Sequence, residues 1–472
     1  MVKSLSIHGL RGFGEAKKFD FAVPNKKAGS GITFIVGANN SGKTTILEAL
    51  RSFNLDPSHS PTFSERKRNR KSDGGKVHLK LVNEKGEIYS IDSTERGGSP
   101  TEYKLNGKRI ERYYSGLSIF TLQSRRHVDY TFHRSNASNR EEYLRNQIQN
   151  TPNRSASLSN FGARLFKMYA NKTEFDVLLR RILGHDLIWT IDQSEDGQYF
   201  VKFTVNGQDH SSEGLGDGIW SIFTICDALY DSQPQSMIVI DEPELSLHPT
   251  YQKRTLELIK DFAKDRQIVI CTHSPYFIDL PSLIDGAVLL RTAKNKEGDI
   301  EVFHLSQEAK SSFSGFLGDL YQPHTFGTEA KEIFFVEDKI ILVEGQEDVV
   351  MYSKAAEQLS FQLHGCFFGW GAGGADKIPK VLRILNDLGY QKVAVIFDGD
   401  KVAEKERYEK EYSEYQFFNI STDDIRDKDA TEHRAAKTGM MEKGGVLKEA
   451  YREEMENLLK DINVYLDAPC KE

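Results

Sequence analysis

The chain has 472 residues, which suggests two domains or three rather than one. Hydrophobic residues make up 39% and charged residues 28%, the balance of a soluble globular protein, and no apolar run approaches the roughly 18 residues that a spanning helix needs. The net charge of −7 argues against a uniformly basic nucleic-acid coat, although a local basic stripe is enough to bind DNA or RNA.

Cysteine usage and the N-terminal residues bear on the compartment. The four cysteines contain no CxxC pair, so neither a disulfide framework nor a zinc site is indicated. The N-terminal stretch lacks the apolar core and small-residue cleavage site of a signal peptide. We therefore expect a reduced, cytoplasmic setting and no membrane partner.

Residues 3–36 predict three short strands, and the last of them runs into a glycine loop followed by an amphipathic helix. A basic stripe follows at 66–71, for which a solvated loop is the ordinary interpretation. Residues 76–92 predict a β-hairpin. Residues 135–185 are polar and helical, and they predict a short helical insertion before strands resume at 188–204.

The glycine loop matches the pattern GxxxxGK[ST] in its required place between a strand and a helix. Glycines let backbone N–H groups surround phosphates, and the helix N-terminus favours anions. Lys43 would neutralise the β- and γ-phosphates, and the Thr44 hydroxyl would complete the Mg²⁺ shell. The residues expected to contact ATP here are Gly37, Asn39, Asn40, Ser41, Gly42, Lys43, Thr44 and Thr45.

A second half of the ATP site is predicted where a buried strand ends in Asp-Glu-Pro. Asp241 at the strand end would hold the Mg²⁺ water shell, and Glu242 would act as the general base on the attacking water. The next strand ends at His273. A lone histidine is usually structural, but at this place it is expected to sense the γ-phosphate.

The segments IDEPELSLHP, CTHSP and IHGLRGFGE…GANNSGKTTILEAL resemble the ABC-type ATPases of the overcoming-lysogenization-defect (OLD) family. The resemblance implies an α/β ATPase head that hydrolyses ATP across a dimer interface, capped by a signature segment of the opposite subunit. Ser212 and Gly216 are the signature candidates, with a helix N-cap as the alternative for Ser212. Gln123 is the candidate Q-loop glutamine, and the nearby Arg125 and Arg126 could equally contact nucleic acid or a partner subunit.

Beyond a boundary expected near 325–338, strands alternate with helices, which predicts a second, smaller parallel-sheet domain. We place the ATPase domain at 1–330 and the second domain at 338–472, whose last residues, 443–472, are expected to form a helix followed by a tail. Acidic groups stand at the carboxyl ends of two predicted strands, the edge where parallel sheets bind ligands. In the sequence Asp-Gly-Asp, both aspartates are expected to point the same way from a strand tip.

Four converging carboxylates would repel one another unless hard cations neutralised them, which favours Mg²⁺, with Mn²⁺ as an alternative. The ordered motifs LVEG, a glycine turn and DGD resemble the Toprim fold, here Rossmann-like, of topoisomerases, primases and OLD nucleases. The resemblance implies metal ligands and a lysine near the scissile phosphate. Lys428 is the first candidate for that lysine, with Lys437 and Lys443 also open, and the implied ligands are Glu344, Asp348, Asp398 and Asp400.

The leading hypothesis is an ATP-controlled, two-metal endonuclease that acts on nucleic acid, with DNA favoured over RNA. Resemblance to the OLD family further implies at least a homodimer and a role in anti-phage defence. The insertion at 135–185 is shorter than the helical dimerisation arms of that family, which leaves room for an accessory partner such as a retron reverse transcriptase. Two alternatives stay open: an ATPase sensor with an inactive Toprim domain, and a Toprim nuclease that cleaves RNA such as tRNA.

Overall fold

The computed structural model describes residues 1–53, 63–72, 75–94, 102–110, 117–124, 131–132, 161–195, 197–205, 207–211, 216–318, 327–335, 338–431 and 435–469. It divides into two compact units, Met1–Val302 and Phe303–Glu472. The division lies upstream of the segment 325–338 expected from the sequence, because the helix Gln307–Leu317 packs against the helix Ile378–Asp387 of the second unit. The domain limits 1–330 and 338–472 stay predictions.

The first unit combines sixteen described strands with six described helices, and its last strand continues into the second unit. The strands are β1 Val2–His8, β2 Lys17–Asp20, β3 Ile32–Val36, β4 His78–Asn83, β5 Ile88–Asp92, β6 Glu102–Leu105, β7 Lys108–Arg109, β8 Ile119–Leu122, β9 Thr131–Phe132, β10 Ile188–Gln193, β11 Tyr199–Val205, β12 Gln208–Ser211, β13 Met237–Asp241, β14 Gln267–Cys271, β15 Val288–Lys294 and β16 Ile300–His304. The helices are α1 Lys43–Ser52, α2 Phe161–Ala170, α3 Lys172–Leu183, α4 Asp217–Tyr230, α5 Pro249–Phe262 and α6 Leu280–Asp285.

The central sheet has the order β16-β15-β3-β14-β13-β8. Its strands β15, β3, β14, β13 and β8 pair in parallel. All five residues of β3, of β13 and of β14 are buried, as expected for strands covered on both faces. Since β14 lies between β3 and β13, the glycine loop after β3 and the acids after β13 stand at the same sheet edge with one strand between them.

An antiparallel sheet, β2-β1-β4-β5-β6-β7, forms the second layer. The alternating burial of β4 and β5 presents one face to the interior and confirms the predicted hairpin. Helix α1 lies in the core shared by the two sheets, where Ile46 and Leu50 meet Leu5 and Val239 among other buried residues. This packing fixes the helix whose N-terminus follows the glycine loop.

A third layer contains β10, β11, β12 and β9 together with helices α2 to α5. Its interior is aromatic: Trp189 is fully buried and packs edge-on against Phe223, with Phe175 alongside. The described part of the predicted insertion, residues 161–183, is helical as expected. Residues 135–160 of that insertion lie outside the described residues.

The second unit is built on a parallel sheet of order β18-β17-β19-β20 and a two-stranded sheet β21-β22. The alternation of strands and helices predicted for this region is confirmed. The strands are β17 Ile340–Leu342, β18 Cys366–Phe367, β19 Val393–Phe397, β20 Gln416–Asn419, β21 Asp424–Arg426 and β22 Gly439–Met441, and the helices are α7 Gln307–Leu317, α8 Thr328–Lys331, α9 Gln346–Gln358, α10 Ile378–Asp387, α11 Val402–Glu411 and α12 Arg452–Asp467.

The final helix is shorter than predicted. It begins at Arg452 rather than near residue 443, because 439–441 form β22 and Gly445 adopts a positive φ of 83° in the turn that follows. Its buried side is apolar, with Met455, Leu459 and Ile462 in the core of the unit, which agrees with the packing role expected for this segment. Among the described helices, none has the length and apolarity to cross a bilayer.

Candidate ATP site and candidate metal centre

The glycine loop bends through backbone conformations that suit its sequence. Gly37 and Gly42 have φ values of 139° and 95°, and Asn40 has a φ of 61°, all in the region that glycine and asparagine tolerate best. The Lys43 ammonium donates to the carbonyl oxygens of Gly37 at 2.9 Å and Ala38 at 2.8 Å. Burial lowers the pKa of Lys43, and the nearby acids oppose that shift. The loop therefore holds a buried cation where phosphates are expected.

The acidic half of the ATP site faces the loop from the ends of β13 and β14. Asp241 is the last residue of β13 and is 5% exposed, and Glu242 follows it with its N–H bonded to the Cys271 carbonyl at 2.7 Å. His273 Nε2 lies 4.0 Å from Glu242 Oε1. Burial lowers the pKa of His273, which keeps the ring neutral at neutral pH and able to both donate and accept.

A cavity of about 700 Å³ joins these groups. Loop residues 39–45 line it together with Glu242 and His273, as predicted, whereas Gly37 and Asp241 lie behind the lining. Two cations that the sequence analysis gave no role, Arg11 and Lys294, also line the cavity. Arg11 pairs with Glu48 of α1 at 2.8 Å. Arg11 stands in the quoted segment IHGLRGFGE, and this motif was the only available signal for it.

Three predicted accessory residues are not brought into this cavity or are not described. Gly216 occupies the N-cap position of α4. Ser212, with both interpretations given for it, lies outside the described residues, as do Arg125 and Arg126. Gln123 is exposed just beyond β8 and does not line the cavity. The Q-loop and signature roles of Gln123, Ser212 and Gly216 therefore stay predictions.

The basic stripe is mostly committed to internal contacts. Arg68 is 9% exposed and donates to the carbonyls of Phe63 at 2.8 Å and Gly75 at 3.1 Å. Lys67 pairs with Glu48 of α1, and Lys71 pairs with Asp299 at 2.8 Å. Arg66 and Arg70 are exposed. Most charges of the stripe therefore stabilise contacts within the first unit and do not form a continuous surface for nucleic acid.

The acids of the second unit meet at the carboxyl ends of adjacent parallel strands, β17 and β19. The Asp398 N–H donates to Glu344 Oε1 at 3.3 Å, so the two strand ends are in direct contact. Asp348 is 7% exposed in the first turn of α9, and its Oδ2 accepts the Gly345 N–H at 2.8 Å. Backbone N–H groups of Gly373 and Gly374 hold the Glu344 carbonyl. The glycine turn thus supports the LVEG segment.

Burial and mutual repulsion disfavour the ionised forms of these acids. Burial, followed by the charges of Asp348, Asp424 and Glu344, raises the pKa of Asp398 to about 8. Burial also raises the pKa of Asp348 to about 7, against the opposing Gly345 hydrogen bond. Burial raises the pKa of Glu344 as well. Three neighbouring carboxyls that are this reluctant to ionise mark a site that favours added positive charge.

The strand that was expected to orient Asp398 and Asp400 together ends before either residue. Strand β19 ends at Phe397, Asp398 caps a short helical turn over Gly399–Lys401, and the alternation of a strand does not extend to Asp400. Asp400 instead pairs with Lys437 at 2.8 Å and lies 3.8 Å from the Lys401 ammonium.

A fifth acid, Asp424, belongs to the same cluster. It is 2% exposed at the start of β21, 2.6 Å from the Lys428 ammonium and 3.6 Å from that of Lys437. Reciprocal backbone hydrogen bonds at 3.0 and 2.9 Å join Lys428 and Lys437 across an isolated antiparallel bridge. Lys443, by contrast, pairs with exposed Asp429. Lys428 and Lys437 were both candidates from the sequence, whereas Asp424 was missed.

The chemistry of this donor set fits a divalent cation. No described donor bonds the carboxylate of Asp398, which is buried and surrounded by other acids. Oxygen-only donors suit Mg²⁺ or Mn²⁺. Within the described ranges, however, no three His, Cys, Asp or Glu side chains converge closely enough to hold a metal as they stand. Cation binding would therefore require the carboxylates to turn inward.

Among the solved structures that this chain resembles are three SMC heads of low sequence identity. The SMC head bound to the C-terminal winged-helix domain of ScpA is 16% identical, covers 65% of this chain and 98% of its own, and has a TM-score of 0.45. The Thermotoga maritima SMC head is 15% identical, with 65% and 99% coverage and a TM-score of 0.38. The SMC head derived from Pyrococcus furiosus with ScpA is 14% identical, with 67% and 99% coverage and a TM-score of 0.46.

Comparison with curated protein sequences gave no match. Two protein families match in succession. The family described as "AAA domain, putative AbiEii toxin, Type IV TA system" matches residues 32–279, which include the glycine loop, Asp241, Glu242 and His273. The family described as "Overcoming lysogenization defect protein-like, TOPRIM domain" matches residues 334–400, from before β17 to Asp400. The chain therefore belongs to the AAA-domain family and, through the TOPRIM domain that follows, has the two-domain architecture of the OLD family.

Proposed function

We propose that the first unit binds and hydrolyses ATP in the cavity between the glycine loop and Glu242. Lys43 would neutralise the β- and γ-phosphates, while Thr44 and Asp241 would hold Mg²⁺. Glu242 would accept a proton from the attacking water, and neutral His273 would contact the γ-phosphate. The support is that loop residues 39–45, Glu242 and His273 line one cavity.

ATP hydrolysis is proposed to require a second copy of the chain. Gly216, at the start of α4, does not line the cavity of its own chain. The resemblance to ABC-type heads implies that another copy supplies the signature residue, and the position of Gly216 agrees with this. The homodimer is therefore the smallest assembly that completes the proposed site.

The second unit is proposed to cleave phosphodiester bonds in nucleic acid. Glu344, Asp348, Asp398 and Asp400 would hold the divalent cations, which when bound supply charge neutralisation and an activated water in a two-metal arrangement. The observation that carries this proposal is the contact between the two acidic strand ends, through the Asp398 N–H and Glu344. The same contact stands among carboxyls whose pKa values are raised.

Lys437 is the better candidate for the lysine at the scissile phosphate. It contacts Asp400 at 2.8 Å and Asp424 only at 3.6 Å, whereas Lys428 is held by Glu347 at 3.0 Å and by Asp424 at 2.6 Å. A lysine with two acids at close range has less charge to offer a phosphate than a lysine with one. We therefore propose Lys437 for this role and Lys428 as its neighbour in the clamp.

DNA is the proposed substrate, and a two-metal site serves RNA equally well. The proposed role in anti-phage defence, and an accessory partner such as a retron reverse transcriptase, rest on the family resemblance. The test is incubation of the purified protein with plasmid, linear DNA and total RNA, with and without ATP and with Mg²⁺ or Mn²⁺. Metal-dependent cleavage that Asp398→Ala and Glu344→Ala abolish is expected. Cleavage unchanged in both variants would refute the nuclease proposal.

A second candidate is an ATPase that assembles around a partner without cleaving nucleic acid. The absence of a ready three-ligand cluster among the described residues favours this candidate. Calorimetric titration of Mg²⁺ or Mn²⁺ into wild-type protein and Asp398→Ala separates the two. If metal binds only the wild-type protein, the nuclease is favoured; if neither binds, the sensor is favoured.

A further inference from the structure

Glu244 occupies a position between the acidic strand end and the histidine loop that the proposed ATPase chemistry does not use. Its Oε1 accepts the backbone N–H of His273 at 2.6 Å, and its Oε2 accepts the Thr272 hydroxyl at 2.8 Å. Thr272 is fully buried. One carboxylate therefore holds two successive residues, and its two oxygens fix the direction in which the histidine leaves β14.

The network continues from Thr272 to helix α5. The Ser274 N–H donates to Thr272 Oγ1 at 2.9 Å, and the Ser274 hydroxyl donates to Gln252 Oε1 at 2.6 Å. Gln252 is 8% exposed and donates in turn to the Leu247 carbonyl at 2.8 Å. The chain of hydrogen bonds thus returns to the loop that begins at Glu244, and it closes a ring around the histidine segment.

The same loop supports the start of α4. A Cβ atom placed on Gly218, in the first turn of α4, would collide with the Ser246 carbonyl oxygen. Only a glycine lets the helix approach the loop this closely. A shift of the histidine segment would therefore reach the loop that the predicted signature helix rests on.

We propose that Glu244 is a positioning residue for His273. Glu244 directs the His273 side chain towards the γ-phosphate and links the position of His273 to the loop that contacts the start of α4. The proposal rests on ATP hydrolysis as the proposed function of this cavity. Glu242 remains the proposed base, and Glu244 does not line the nucleotide cavity. Its contribution is to hold the sensor in one place before the nucleotide arrives, which lowers the reorganisation needed for reaction.

The first test compares Glu244→Ala with Glu244→Gln in ATP hydrolysis by the full chain. Loss of a carboxylate that receives two hydrogen bonds should lower kcat about tenfold to a hundredfold. The KM for ATP should stay within about twofold, because the phosphate loop is untouched. Glutamine still accepts the His273 N–H, so Glu244→Gln should recover most of kcat. The exposed Glu257 of α5 provides the matched control, Glu257→Ala, which should match wild type.

A double-mutant cycle separates positioning from general support of the fold. In a His273→Ala background, Glu244→Ala and Thr272→Val, which each lower kcat when His273 is present, should have no further effect on kcat. Additive losses, or a kcat that Glu244→Ala leaves unchanged, would overturn the proposal. If Glu244→Ala does not fold, the Thr272→Val cycle decides the question. If no chain hydrolyses ATP at all, the proposed function fails instead, and the two failures are distinguishable.

Discussion

The two candidate sites solve opposite electrostatic problems. At the candidate ATP site the buried Lys43 ammonium donates hydrogen bonds to backbone carbonyls. The surrounding loop offers glycines and backbone N–H groups to an anion. At the candidate metal centre buried carboxyls lie close together, and Lys428 and Lys437 of an isolated β-bridge balance part of their charge. On the proposed functions, the first unit would receive phosphate and the second would receive cations. Variants that remove charge should therefore act in opposite ways at the two sites.

The largest expected effect is at Lys43. Lys43→Ala removes the cation that faces the phosphates, so ATP hydrolysis should fall about a hundredfold or more. Metal binding in the second unit should be unchanged, since its ligands lie in a separate unit. Steady-state ATP hydrolysis and metal calorimetry on one preparation check both halves. The exposed Lys264 offers the control variant Lys264→Ala, and equal losses at Lys43 and Lys264 would contradict the assignment.

The second effect distinguishes the two clamped lysines. Lys437→Met should lower nuclease activity about tenfold to a hundredfold, the size expected for one lost charged contact to the transition state. Lys428→Met should cost less, because Glu347 and Asp424 already occupy that ammonium. Single-turnover cleavage at saturating metal measures both, with Lys443→Met as the surface control. A greater loss at Lys428 than at Lys437 would reverse the assignment.

The third prediction concerns pH and the cation-free acids. The pKa of Asp398 is raised in the folded protein, so the folded state binds a proton more tightly than the unfolded chain. Stability should therefore be lost as pH rises from about 4, the ordinary aspartate pKa, towards about 8. Asp398→Asn removes this cost and should stabilise the protein at pH 8 by about 1 to 3 kcal/mol, with little effect at pH 4.

Urea unfolding in EDTA at the two pH values measures that difference. The exposed Asp461 supplies the control variant Asp461→Asn. Saturating Mg²⁺ should remove the advantage of Asp398→Asn at pH 8, because the cation stabilises only the ionised wild-type site. An advantage that is equal at pH 4 and pH 8 would show that repulsion among the acids is not its cause.

The smallest effect is expected at Glu347, whose side chain is 47% exposed. The hydrogen bond from Arg426 is the main reason that the pKa of Glu347 is lowered to about 2. Burial opposes this shift, and Lys428 adds to it. The stability that this group contributes is thus present above about pH 4.5 and is lost as pH falls towards 2. Glu347→Gln should destabilise the protein at pH 7 by at most about 1 kcal/mol, because solvent screens the pair.

Urea unfolding of wild type and Glu347→Gln at pH 7 and pH 3 tests this. The two proteins should differ less at pH 3 than at pH 7. A difference that grows at low pH would contradict the assigned direction. Glu347→Gln also removes one of the two acids that pair with Lys428. In this variant, the loss of cleavage caused by Lys428→Met should move closer to the loss caused by Lys437→Met.

The features that depend on neighbouring residues in the sequence could be predicted from the sequence. The glycine loop and the strands that end at Asp241 and Cys271 are contiguous apolar runs followed by functional residues, so their spacing alone placed them. The alternating elements of the second unit followed for the same reason. Asp398 and Asp400 were expected to point the same way from a strand tip, but the strand stops at Phe397 and Gly399 begins a turn held by the Thr422 carbonyl, so strand alternation does not set their directions.

Residues whose roles depend on distant partners were missed. Asp424 is ordinary in the run of acids from 423 to 429 until the bridge between Lys428 and Lys437 encloses it. Arg68 looked like one charge of a solvated stripe, yet it is buried against carbonyls of three segments, including Thr94. Arg11 entered the cavity from a segment more than twenty residues before the glycine loop. No periodicity encodes such long-range contacts.

The backbone of Glu242 carries one last consequence. Its φ of 45° lies in the left-handed region, which disfavours residues with a Cβ by about 1 to 2 kcal/mol. The backbone of Glu242, whose N–H bonds the Cys271 carbonyl, therefore sets the direction of this carboxylate before any ligand binds. Glycine would relax the bend but discard the acid, and a β-branched residue would fit worse still. The strand end is slightly less stable as a result, and the proposed proton acceptor is oriented before a nucleotide binds.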